Sequence, residues 1–406
     1  METPGGGAGG VLEIEIGSFL DELSAAGYVP HRLAQRRSIL LAFARWAQDE
    51  RLAASDVGDV HIAAFAALRS RRRETRKAVR ATLRRFLTYL RCRGVLPPPT
   101  TTTSLADDLT ERYVAYLRTV RGLAENSIRV YAPCVRAFLT HRVQTTKRLA
   151  LETLDAEAIG TFLIDRVVRR SSESARLLSV ALRSFLRFLV LRGDVTRDLS
   201  GAVPRVRTYQ QSSVPVVLSP EEVERVLATA DRSIPRGRRD YAILLLLARL
   251  GLRASEIVTL ELGDVRWRAG EIIVRGKGPR QDHLPLLADV GEALAGYLRE
   301  DRGTSASRRV FLRLIPPRVG LTGPCAIDHI VRLALRRAGI GPHPRRVAHL
   351  FRHSLATRMI RHGASMAEIA EVLRHRSQTT TAIYAKVSFE ALRTVARPWP
   401  LVGGVR

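Results

Sequence analysis

Apolar positions recur three and four residues apart through most of this chain, the spacing of helices that bury one face. From about Gly17 to Leu96 the pattern is continuous, as in Ile39, Leu40, Phe43 and Trp46. Pro97, Pro98 and Pro99, followed by threonines through Thr103, interrupt it and read as a linker. A second helical stretch runs from about Leu105 to Leu199. A further break from Gly201 to Val217, with Pro204, Gln210, Gln211 and Ser212, reads as a second linker. The pattern thus predicts a helical domain over 17–98, another over 105–200, a linker over 201–217, and a larger unit with a C-terminal tail over 218–406. The glycine run Gly5–Gly10 predicts a disordered lead-in covering residues 1–16.

The two helical stretches echo each other. Leu83, Arg84, Phe86, Leu87, Leu90, Arg93 and Gly94 match Leu182, Arg183, Phe185, Leu186, Leu189, Arg192 and Gly193 at identical spacing. Two amphipathic helices that end at a glycine cap can resemble each other by chance. The shared arginines lie off the apolar face, which favours duplication of one small basic helical domain.

The third unit opens on Ser219-Pro220-Glu221-Glu222: a capping serine, a proline in the first turn and acids at the positive end of the helix dipole. Helices continue to about Leu262. Short strands are then expected at Val265–Trp267, Glu271–Arg275 and His283–Leu286, with turns at Ala269-Gly270 and Gly276-Lys277-Gly278-Pro279. Helices resume to the end. The expected fold is mainly α, with helical N-terminal domains and a mostly helical last domain that carries one small antiparallel sheet.

Charge narrows the range of partners. Lys+Arg 66 against Asp+Glu 39 gives a net charge of +27. Such a surplus favours a polyanion, because neutralising phosphates releases condensed counterions, and it points first to nucleic acid. The basic residues are nearly all arginine; only Lys77, Lys147, Lys277 and Lys386 are lysine. Arginine would serve wherever bare positive charge suffices, so each lysine is conspicuous. Three scattered cysteines, Cys92, Cys134 and Cys325, imply no disulfide framework. The first ten residues lack a signal-peptide pattern, and the longest apolar run, Ala242–Ala248, is too short to span a bilayer. A soluble cytoplasmic protein with no membrane partner is expected.

Four segments of the last unit hold polar residues that a plain core does not need. Arg253, at the end of the most apolar helix, has Glu256 close behind, a carboxylate placed to hold a guanidinium. Lys277 lies between glycines, which let backbone approach a ligand closely. In His349-Leu350-Phe351-Arg352-His353-Ser354 the first histidine shares a helical face with Arg352 at i, i+3 and with His353 at i, i+4. A zinc reading of the two histidines fails, because Leu350 stands where the zinc protease motif needs glutamate and no acidic or cysteine ligand is near. Finally, Ser365 with Glu368 forms a capping box that starts a helix leading to His375, and Tyr384 follows nine residues later, on the next helix, which opens near Thr379–Thr381.

Taken in order, Arg253, Lys277, His349 with Arg352, His375 and Tyr384 resemble the signature of the tyrosine recombinase (phage integrase) family. Gly-Leu-Arg-x-Ser-Glu, His-x-x-Arg-His-Ser and Leu-x-His match in local context. The resemblance covers about Leu218–Val387; the stretch 105–199 looks like the family's core-binding domain, and 17–98 reads as a SAM-like N-terminal DNA-binding domain. One departure is Arg374, where the family usually has glycine; it puts the backbone shape at His375 in question. The ending, with Ala396-Arg397-Pro398-Trp399-Pro400, resembles recombinases of bacterial mobile elements.

The resemblance implies a site-specific recombinase that cuts and rejoins double-stranded DNA through a 3′-phosphotyrosyl bond to Tyr384. Such an enzyme serves integration or transposition. Arg253 and Arg352 would grip phosphate oxygens bidentately, with His349 and His375 as proton carrier and hydrogen-bond donor. Lys277 would protonate the leaving 5′ oxygen, which arginine cannot do. Side chains then supply the positive charge, so no metal is expected. The phosphotyrosine conserves the bond energy, so neither ATP nor another cofactor is expected. The family's four-protomer synapse implies a homo-oligomer on DNA, or partner recombinases, with the tail after Tyr384 packing on a neighbour. Two rivals stand beside this reading. A type IB topoisomerase would relax supercoils as a monomer, and a repressor would bind DNA without cutting it.

Overall fold

A computed structural model describes residues 8–53, 56–69, 73–98, 104–167, 172–206, 216–276, 281–341, 347–375, 381 and 384. By contacts the chain divides into two compact units, Met1–Leu96 with Ser213–Arg406, and Pro97–Ser212.

In the first unit, helices α1 (Ala8–Ala25), α2 (Pro30–Asp49), α3 (Asp59–Arg69) and α4 (Arg73–Cys92) enclose a core of their own. Leu12, Ile16, Phe19 and Leu23 repeat at helical spacing along α1 and are all buried. Phe19 meets Phe86 and Tyr89 of α4, each with ring centroids 5.1 Å apart. The lead-in expected over 1–16 is therefore corrected. Glycine composition alone suggests disorder there, but Leu12 and Ile16 pack into the bundle and hold α1 from Ala8 onward.

The second unit is also built on four helices: α5 (Leu105–Thr119), α6 (Glu125–Thr146), α7 (Ala156–Val167) and α8 (Ser172–Arg192). Its core holds Tyr113, Phe138, Phe162 and Phe185. Helices α4 and α8 bury the same register, with Leu83, Phe86, Leu87 and Leu90 on one and Leu182, Phe185, Leu186 and Leu189 on the other. Each ends at a left-handed glycine, Gly94 at φ 72° and Gly193 at φ 77°. Part of the stretch read as a second linker packs: Leu199–Ala202 forms a 3₁₀ turn and Val203 is buried.

The remainder of the first unit is organised around α10 (Pro235–Leu250), where Ala242–Leu247 are buried without a break. A helix apolar all round needs neighbours on every side. It has them in α9 (Pro220–Ala228), α11 (Ala254–Thr259), α12 (Ala288–Glu300), α13 (Pro324–Arg337) and α14 (Ala348–Arg361). Ser219 and Glu222 form the capping box that starts α9. A three-stranded antiparallel sheet, β1 (Val265–Arg266), β2 (Glu271–Arg275) and β3 (Gln281–Pro285), lies between α11 and α12 in the chain. Strand β3 starts two residues before the expected position, because Gln281 pairs with Arg275 at the end of β2. The last described helix is α15 (Met366–Val372). The fold is mainly α with one small antiparallel sheet.

Candidate active site

Three helix ends build the site. Helix α10 stops at Gly251, whose φ of 56° favours glycine. A Cβ there would also sit 2.9 Å from Leu373 and 3.0 Å from Leu355. The stop turns the chain so that Arg253 caps α11, with Glu256 folded back in its first turn. One Glu256 oxygen accepts the Arg253 backbone N–H at 2.8 Å, and the other pairs with Arg253 Nη1 at 2.6 Å. Arg253 Nη2 donates to the carbonyl of Arg374, 3.2 Å away and 121 residues on.

Arg352, in the middle of α14, is 3% exposed. Its Nη1 donates to the Gly251 carbonyl at 2.7 Å and its Nη2 to the Leu373 carbonyl. It therefore joins the C-terminal ends of α10 and α15, where unpaired carbonyls and the negative end of the helix dipole favour a cation. Burial, with Arg253 and Arg374 nearby, lowers its pKa to about 9, and it keeps its charge at neutral pH. Two guanidiniums thus lie in one site and share a single carboxylate, Glu256, among their ionic neighbours.

At the end of α15 the departure from the family pattern resolves physically. Arg374 takes the left-handed conformation that glycine would, at φ 55°. The amides of Arg374 and His375 donate to the Glu371 and Ala370 carbonyls, completing a Schellman cap. A non-glycine residue pays about 1–2 kcal/mol for that conformation. Its side chain is 5% exposed and pairs with Glu256 at 3.0 Å, which offsets the strain. Burial opposes ionisation of Glu256, but Arg374 and the Arg253 amide and guanidinium outweigh it and hold its pKa below the ordinary carboxylate value. Glu256 is thus shared by two arginines.

His375 emerges directly from this cap. Its Nδ1 lies 2.7 Å from Thr381 Oγ1, and its ring stacks on that of Tyr384 at 6.0 Å and 7°. Burial, then Arg352 and Arg253, push its pKa down to about 4. Tyr384 is 2% exposed and packs with Leu355, Ala356, Ile369 and Leu373. Burial raises its phenol pKa, while Arg352 and Arg253 pull the other way. Its hydroxyl lies 2.9 Å from Nδ1 of His353.

Of the residues singled out in the sequence, Arg253, Glu256, Arg352, His375 and Tyr384 come together here. His349 stands one turn before His353 on α14, with ring centroids 6.2 Å apart. Lys277 lies outside the described residues, just past the β2 terminus. So do the tail after Tyr384 and most of the helix start expected at Thr379–Thr381. Sequence reasoning missed two participants. In the sequence His353 reads as a rejected zinc ligand and part of a motif context, and Arg374 as a departure from the family pattern; no spacing rule shows which side chains they meet. Among the described residues no three His, Cys, Asp or Glu side chains gather as a metal site, and no helix is long and apolar enough to cross a membrane.

Comparison with known proteins agrees with this geometry. Residues 216–391 match the phage integrase family, and residues 110–193 match the phage integrase N-terminal SAM-like domain. The protein y4rA of Sinorhizobium fredii (strain NBRC 101917 / NGR234), named as an integrase/recombinase, is 42% identical over 396 residues, 96% of this chain and 95% of its own. The tyrosine recombinase XerD of Listeria monocytogenes (strain ATCC BAA-679 / EGD-e) is 30% identical, over 71% of this chain and 97% of its own. Among solved structures, the XerH site-specific recombinase in its post-cleavage complex with palindromic difH matches with a TM-score of 0.55 at 20% identity. That match covers 70% of this chain and 83% of XerH, and it speaks to the fold alone. With likeness to y4rA running nearly end to end, the chain belongs to the phage integrase, or tyrosine recombinase, family.

Proposed function

We propose that the chain is a site-specific DNA recombinase that cuts and rejoins duplex DNA through a 3′-phosphotyrosyl bond to Tyr384. One observation carries the reading: Arg253, Arg352 and a buried tyrosine hydroxyl, drawn from three distant stretches, share one small site. Arg253 and Arg352 stabilise charge on the non-bridging oxygens of the scissile phosphate. His349 and His375 hydrogen-bond those oxygens, and Lys277 protonates the leaving 5′ oxygen. Glu256 and Arg374 hold Arg253 in position. The net charge of +27 supports a duplex as substrate. The integrase naming of y4rA supports integration of a mobile element. In this reading four protomers act on paired sites in the cytoplasm.

The deciding experiment is strand exchange between two copies of the recombination site taken from the DNA flanking the gene. Exchange with a covalent protein–DNA adduct is expected; supercoil relaxation without exchange would favour a topoisomerase, and binding without an adduct a repressor. The same exchange should persist in excess chelator, because guanidinium groups supply the positive charge. An absolute need for magnesium would count against the mechanism.

The N-terminal bundle is a second DNA grip in this reading. It encloses its own core, and α4 buries the same register as α8 of the domain matched as SAM-like. Deleting residues 1–98 should weaken site binding and shorten the footprint, while the remainder stays soluble and still cleaves at high concentration. Loss of all soluble protein would instead assign the bundle a structural role.

A further inference from the structure

The geometry points to His353 as the base that takes the proton from the Tyr384 hydroxyl. The inference rests on Tyr384 as the nucleophile and adds a residue to that chemistry. The hydrogen bond of the Tyr384 hydroxyl goes to His353 Nδ1 at 2.9 Å, and the two rings lie 5.5 Å apart. His353 is fixed by α14, whose next residue, Ser354, is anchored at both ends. Its hydroxyl donates to the Leu350 carbonyl and accepts the Leu218 N–H. The backbone that carries His353 is therefore held by a buried part of α14.

Charge around the ring suits a proton acceptor. Burial, then His349 and Arg352, lower the His353 pKa to about 4, so the ring is neutral at pH 7. A neutral ring protonated on Nε2 presents a lone pair at Nδ1, within reach of the tyrosine O–H as donor. Tyr384, with its own pKa raised by burial, keeps its proton until attack. A phosphate beside Arg352 offsets part of its repulsion on His353 and makes the ring a stronger base when the oxygen attacks.

The step balances. The Tyr384 oxygen forms a bond to phosphorus, the bond from phosphorus to the 5′ oxygen breaks, and the tyrosine proton passes to His353 Nδ1 to give an imidazolium. The 5′ oxygen takes a separate proton from Lys277. In religation the 5′ hydroxyl returns its proton to Lys277 and bonds to phosphorus, the phosphotyrosine bond breaks, and His353 returns its proton to the departing tyrosine oxygen.

Single-turnover cleavage by His353→Ala and His353→Asn tests this. The asparagine keeps an acceptor oxygen near the Nδ1 position but cannot take up a proton. Each variant is paired with a version that carries, at 384, a fluorinated tyrosine whose phenol ionises near neutral pH. Both variants should bind the site as the wild type does and cleave roughly 10²–10⁴-fold more slowly. The fluorinated tyrosine should restore most of the rate in both, since an ionised nucleophile needs no base. Near wild-type cleavage by His353→Asn would overturn the proposal, leaving His353 only an orienting role. So would failure of the fluorinated tyrosine to rescue either variant, or loss of DNA binding by both, because a proton acceptor contributes nothing to binding. A covalent adduct in Tyr384→Phe would instead bring down the nucleophile assignment itself.

Discussion

Tyr384→Phe is expected to bind its recombination site with near wild-type affinity and to form no covalent adduct on denaturing gels. The ring is buried against Leu355, Ile369 and Leu373 and stacked on His375, and phenylalanine keeps all of that packing. What disappears is the oxygen proposed to attack phosphorus, which the guanidiniums of Arg253 and Arg352 cannot replace. The lost hydroxyl also leaves His353 Nδ1 without its partner, at a cost of about 1–3 kcal/mol in stability, small enough for the variant to stay folded. Thermal unfolding of the variant checks that part separately. Residual adduct would mean that another residue attacks.

The second large effect concerns Lys277. The 5′ oxygen departs as an alkoxide of very high pKa unless it is protonated, so Lys277→Ala should slow cleavage of ordinary DNA by roughly 10²–10⁴-fold. A sulfur in the bridging position leaves as a thiolate, with a pKa near that of cysteine, about 8.5, and needs no acid. Lys277→Ala should therefore cleave the sulfur-substituted strand at close to the wild-type rate. Arg253→Ala should be slow on both strands, since charge on the non-bridging oxygens must be stabilised whichever atom leaves. The contrast matters because a lysine could act only by holding DNA. In that case sulfur would fail to rescue, and the proton would come from His349 or water.

Much of this was legible in the chain itself. Helical periodicity, the glycine stops at Gly94, Gly193 and Gly251 and the capping boxes at Ser219 and Ser365 are local, since each rests on hydrogen bonds or burial within about one turn. The order and local context of Arg253, His349, Arg352, His375 and Tyr384 are visible in the chain through their resemblance to the family signature. Local composition misled at the start of α1. A glycine run outweighed the series Leu12, Ile16, Phe19, Leu23, whose burial depends on a partner helix far along the chain.

Only the tertiary structure decided how the site is held. Arg352 reaches Gly251 and Leu373 because the ends of two helices meet beside it, and carbonyls freed at helix ends have no sequence signature. Arg374 sits in a backbone shape that glycine usually takes, tolerated because Glu256, 118 residues earlier, is there to pair with it. His353 shares its helix with His349 and looks like its equal in sequence. The fold sets His353 against the tyrosine, since which turn of α14 lies beside Tyr384 depends on how α14 packs with α15.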